Sequence, residues 1–181
     1  MHENIHYLFW NSKKVYSSLP EIVDFKDKGS EYDTLIQFWI DYWKSQGVPF
    51  PDDLDPLMIK ALIAVESTFN PNARSKVKGS TAEGLMQVTD QSLRILGGFP
   101  NKKGWIEMRK QLNHVEKAEK LDPIINVALG TRLLGHKFSQ ITDNSKRNSK
   151  TMIAHYNSRG KEGDAYAQKV LEFYKKSKKV R

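Results

Sequence analysis

Two Asp-Pro pairs, Asp55-Pro56 and Asp122-Pro123, do most to constrain this chain. An Asp side chain accepts the unpaired amides of a helix's first turn, and a following proline has its φ already set for the helix. Each pair opens an apolar stretch: Ala61-Leu62-Ile63-Ala64-Val65 after the first, and Ile124, Val127, Leu133 and Leu134 after the second. The pattern predicts two capped helices, over residues 55–68 and 122–141. A third stripe, Leu35, Ile36, Trp39, Ile40 and Trp43, predicts a helix over 31–46, closed by Gly47 and Pro49. Phe38 and Tyr42 widen that face, so the helix must pack on something.

Shorter helices are expected at 90–96, with Asp90 as its cap, and at 105–112, 150–157 and 164–176. Residues 73–83 read as a polar loop or a small hairpin, and 142–150 as a loop. The fold class predicted is mainly α, with at most a small hairpin near residues 77–88. Residues 1–50 form a helical N-terminal arm expected to pack on the domain spanning 51–181. A length of 181 residues suits one domain of about 100–200 residues with such an arm.

Composition narrows the chemistry. With no cysteine, a disulfide framework, a thiolate zinc site and a cysteine nucleophile are all excluded. No apolar run approaches the roughly 18 residues of a membrane span. The N-terminus lacks a basic segment followed by an apolar one, so no secretory signal is expected. Residues 1–60 carry 6 Lys/Arg and 10 Asp/Glu, whereas 61–181 carry 23 and 11. A basic body behind a mildly acidic arm suits a polyanionic partner: nucleic acid, anionic lipid or an acidic cell-wall polymer.

Two motifs compete for the chemistry. His2-Glu3-Asn4-Ile5-His6 matches the zinc-protease pattern HExxH, but lies where chains fray and has no third ligand at a useful distance. The remaining histidines, His114, His136 and His155, show no ligand spacing, so no metal site is expected. The other motif centres on Glu66, at the end of the apolar stretch 61–65. Desolvation there pushes a carboxyl towards its neutral form, the form that protonates a glycosidic oxygen.

The residues around it carry a resemblance. Glu66-Ser67-Thr68-Phe69-Asn70-Pro71-Asn72-Ala73, followed by Gly84-Leu85-Met86-Gln87-Val88, resembles the soluble lytic transglycosylase family, whose lysozyme-like domain cleaves peptidoglycan. Asp122-Pro123 with Asn126 and Gly130 looks like the family's next helix, and Ala154-His155-Tyr156-Asn157 with Gly160 like its Ala-Tyr-Asn motif. Tyr166 and Val170 fit its final helix. The resemblance covers about residues 55–175. The chain departs from it in a longer loop through Lys76-Val77-Lys78, in His155 where a small residue is common, and in Ser158-Arg159.

The resemblance implies one catalytic group, Glu66, and no cofactor. Glu66 would protonate the oxygen between N-acetylmuramic acid and N-acetylglucosamine, then act as base towards the muramic 6-hydroxyl, giving a 1,6-anhydro product. Ser67, Met86 and Gln87 would meet the sugar, and Tyr156 and Asn157 would orient Glu66 or the acetamido group. Asn126 is expected to make a structural hydrogen bond. Goose-type lysozymes, close relatives, hydrolyse instead and add an acidic residue to position water; Asp90 and Glu83 are the candidates here. A distant alternative is a non-catalytic wall-binding or nucleic-acid-binding module on the same fold. The expected partner is the peptidoglycan glycan strand, in the periplasm or cell wall, with no nucleic acid and no membrane span. Delivery would be by a secretion machine, through a holin, or from a chain trimmed of its signal. A secretion component or an immunity protein would be a further partner.

Overall fold

The computed structural model describes residues 5–108 and 115–179. Within them run seven α-helices: α1 (Ile5–Trp10), α2 (Asp33–Ser45), α3 (Pro56–Ser67), α4 (Asp90–Leu96), α5 (Pro123–Ser139), α6 (Ser149–Asn157) and α7 (Lys161–Lys178). Both Asp-Pro starts are made as expected. The Asp55 carboxylate accepts from the Leu57 amide at 2.9 Å and that of Asp122 from the Ile125 amide at 3.0 Å.

At α4 the cap shifts by one residue. Thr89 is extended and its hydroxyl accepts from the Ser92 amide at 3.1 Å, so Asp90 becomes the first helical residue. That frees the Asp90 carboxylate for ion pairs. Residues 105–108 are not helical, and the rest of the helix expected to 112 lies outside the described residues. The segment 73–88 forms no strand; isolated bridges join Arg74 to Glu83 and Glu83 to Val88, giving a rudimentary hairpin. The mainly α class is therefore observed, with the hairpin at its smallest.

α3 and α5 lie at the centre. Ile59, Leu62 and Ile63 on one, and Val127, Ala128, Leu129 and Leu134 on the other, are fully buried. α2 packs on both, α7 covers α3, and α6 bridges α5 and α7. Every helix thus buries its apolar face against another, the condition for a small helical core to hold.

The arm is joined to this core at several points. Trp39 and Trp43 are buried, and the Trp43 indole N–H donates to the Ala128 carbonyl of α5 at 2.9 Å. Asp33 pairs with Lys60 of α3 at 2.7 Å, both side chains buried. Phe25 meets Phe69 and Phe173 edge-on, each with ring centroids 5.6 Å apart, so it wedges between the end of α3 and α7.

Candidate active site

α3 delivers Glu66 to the floor of a cleft and then stops abruptly. Thr68 and Phe69 both take left-handed backbone, with φ of 53° and 63°. A β-branched residue is a poor occupant of that region, so the surroundings must impose the turn. Phe69 is buried against Phe25 and Gly29 of the arm; a Cβ on Gly29 would sit 2.3 Å from the Phe69 ring. The chain is thereby turned away from the acid, and residues 73–88 return as a wall of the cleft.

That wall is pinned from two helices. Asn126 of α5 accepts from the Met86 amide at 2.7 Å and donates to the carbonyls of Glu83 (2.9 Å) and Lys120 (2.6 Å). Tyr156 of α6 donates its phenol to the Met86 carbonyl at 2.7 Å. Gly84 sits at φ 79°, and a Cβ there would lie 2.2 Å from the Asn126 amide nitrogen, so only glycine fits. Gln87, at φ 49°, donates to the carbonyls of Ala73 and Gly84 at 3.2 and 3.0 Å and so closes the turn on itself.

The cavity enclosed is about 540 Å³. Glu66, Gln87, Tyr156 and Asn157 line it together with Ser75 and Val77 of the hairpin, Gln91 and Ile95 of α4, and Leu133 and Lys137 of α5. Glu66 is the one carboxylic acid among the described residues lining it. Burial raises its pKa from 4.5 to about 7, against the opposing effects of a hydrogen bond from Tyr166 and the charge of Lys169. The Tyr166 phenol donates to Glu66 Oε1 at 2.6 Å, and burial beside that carboxylate holds the phenol well above its ordinary range. A carboxyl so placed is protonated and ionised in comparable amounts near neutrality, as a group that gives and retakes one proton must be.

The other predicted residues are divided. Ser67 does not reach the cavity; its hydroxyl donates back to the Ile63 carbonyl at 3.1 Å within α3. The Met86 side chain is fully buried rather than lining the cleft, because Gly130 of α5 leaves the space it fills. Its backbone, not its side chain, serves the site. Tyr156 orients the wall through Met86, whereas Tyr166, expected only to fit the last helix, is the residue bonded to the acid.

Glu83 and Asp90 both face away, towards Lys120. Its ammonium, with the side chain 2% exposed, reaches Glu83 at 3.1 Å, Asp90 at 2.8 Å and the Thr81 carbonyl at 2.6 Å. Lys117 adds a 2.7 Å pair to Asp90, and the two lysines hold the Asp90 carboxyl below its usual range. Neither carboxylate lines the cavity. Nothing in the charge-rich run Glu116-Lys117-Ala118-Glu119-Lys120 marks Lys120 as buried. In the HExxH match, His2 and Glu3 lie outside the described residues, and His6 is 3.2 Å from Asp122.

Comparison with known families covers these same elements. The family model described as the transglycosylase SLT domain matches residues 51–178, from the linker before α3 to the end of α7. The chain belongs to the transglycosylase SLT family. A search of curated proteins finds no match. SLT membership makes peptidoglycan the substrate class and fits action in the periplasm or cell wall. At family level this is an enzyme of the peptidoglycan lytic transglycosylase type. The SLT match leaves out the arm, although α2 packs on SLT helices α3 and α5. No helix among the described residues is long and apolar enough to cross a membrane.

Proposed function

We propose that this SLT domain cleaves the β-1,4 bond between N-acetylmuramic acid and N-acetylglucosamine by transglycosylation, with Glu66 as acid and then base. The neutral carboxyl of Glu66 gives its proton to the glycosidic oxygen as the bond to the muramic C1 breaks. The muramic 6-hydroxyl oxygen then bonds to C1 while its proton passes to the Glu66 carboxylate. Atoms balance without water, the acid is regenerated, and the product is a 1,6-anhydro sugar. Tyr166 acts as a positioning residue, holding Oε1 in one orientation and favouring the ionised form needed in the second half.

One observation carries this reading: a carboxyl whose pKa burial raises to about 7 is the sole carboxylic acid among the described residues lining the cleft. An inverting hydrolase needs a second carboxylate roughly 6.5–9.5 Å from the first to activate water. Glu83 and Asp90, the sequence candidates for that role, are bound to Lys120 instead, which favours the lyase over the lysozyme-like hydrolase. Product mass tests it: released muropeptides are expected one water lighter than hydrolysis products. Products at the hydrolytic mass would refute the lyase, and undiminished clearing by Glu66→Gln would refute catalysis by Glu66.

A further inference from the structure

Lys137, in the last turn of α5, lines the same cavity as Glu66 and has no carboxylate within ion-pairing distance among the described residues. Its surroundings oppose a positive charge: the side chain is half-buried, and Arg159 lies near enough to disfavour protonation, leaving Glu107 as the one acid whose field helps. Glu107 is itself engaged by Arg94. On α6, His155 adds a further basic side chain that feels Arg159 and Lys137, and its buried Nδ1 has no hydrogen-bond partner. Lys169 is the cation whose charge acts on Glu66.

An unpaired, half-buried ammonium crowded by like charge is unfavourable in the free protein, and a carboxylate brought in by a ligand relieves it. Leu133 and Ile95 give the same cavity apolar lining. We propose that Lys137 is a specificity-determining residue, binding a free carboxylate carried on the lactyl arm of the muramic acid residue. The arm's own carboxyl is taken up in the amide bond to the stem peptide, so the ligand is a carboxylate of that peptide. The inference rests on the peptidoglycan reading above and adds to it a preference among peptidoglycan substrates that depends on their charge.

The test compares sacculi free of teichoic acid with the same sacculi after carbodiimide coupling to ammonia, which turns their carboxylates into carboxamides. The wild type is expected to half-saturate at a concentration at least about tenfold lower on native than on amidated material, as loss of one charge-assisted hydrogen bond implies, with kcat changed less than KM. In Lys137→Met the ratio should fall to about one, and Lys137→Arg should restore most of it. A third substrate, strands stripped of peptide by an amidase, carries only the lactyl carboxylate. Lys137→Met should leave KM unchanged there; a KM that it still raises would overturn the peptide carboxylate as the ligand. Cleavage of native and amidated sacculi with equal KM by the wild type, or a native preference that survives in Lys137→Met, overturns the assignment and leaves the peptidoglycan reading standing. Cleavage of neither overturns both.

Discussion

The phenol of Tyr166 donates to Glu66 Oε1 at 2.6 Å, joining residues 100 positions apart in the chain. α7 covers α3 so that this contact sits at the floor of the cleft. The bond favours the ionised carboxyl, while burial favours the neutral one and outweighs it, leaving the pKa at about 7. Tyr166→Phe removes the smaller, opposing influence. The alkaline limb of kcat/KM should therefore move upward by about one pH unit, and the rate at pH 6 should fall by roughly tenfold through loss of orientation. A pH–rate profile checks both. An unmoved limb would mean that the phenol does not act through Glu66.

The same carboxyl has a stability signature. Its folded pKa of about 7 lies above the ordinary 4.5, so the folded protein binds more protons between those values. The stability that neutral Glu66 contributes is fully present below about pH 4.5 and is lost as pH rises through 7. Glu66→Gln has no such loss. The variant should gain on the wild type by about 3 kcal/mol between pH 4.5 and 8, at ~1.4 kcal/mol per pKa unit. Denaturant melts at the two pH values measure it. A constant difference would show that Glu66 is not desolvated as described.

Lys120 yields a prediction that separates structure from chemistry. It is buried and holds Glu83, Asp90 and the Thr81 carbonyl together. Lys120→Met leaves Asp90 with Lys117 and Glu83 with Arg74, both partly exposed, so the cost should stay at or below about 3 kcal/mol, the lower end for breaking a buried ion pair from one side. A shift in the denaturation midpoint reports this. Asp90→Asn and Glu83→Gln should destabilise less and leave the product at the anhydro mass. A product that changed between anhydro and hydrated forms in either variant would return that carboxylate to the reaction.

What the sequence revealed follows how local each determinant is. Asp55 and Asp122 were legible because a cap and its amide lie within a few residues of each other. Glu66 drew notice because it ends an apolar helical stretch, but the tyrosines beside it, Tyr156 and Tyr166, come from distant segments. At α4, two capping residue types stand side by side, and the extended backbone of Thr89 decides between them, which composition does not encode. Met86 has the same side chain whether it faces a sugar or the core; the gap at Gly130 settles it. Tyr166 and Lys120 depend on partners brought together from distant segments, so neither carries a local signal of its role.

The arm offers the last test, because it touches both stability and the site. Deleting residues 1–48 strips Trp39 and Trp43 from α3 and α5 and leaves the Ala128 carbonyl without its indole donor. The buried Asp33–Lys60 pair is lost with the arm. The two indoles and the aliphatic side chains Leu35 and Ile40 add more, at about 25 cal/mol per Å² of apolar surface. The truncated SLT domain should melt many degrees lower or fail to stay soluble. Phe25 and Gly29 also hold Phe69, two residues beyond Ser67, in its left-handed turn. A milder variant, Phe25→Ala, removes that support without exposing the tryptophans. It should reduce kcat on sacculi more than its own loss of melting temperature explains, measured well below the melting transition. Equal activity for Phe25→Ala, with a truncated protein that melts like the full chain, would make the arm an appendage rather than a buttress for the end of α3.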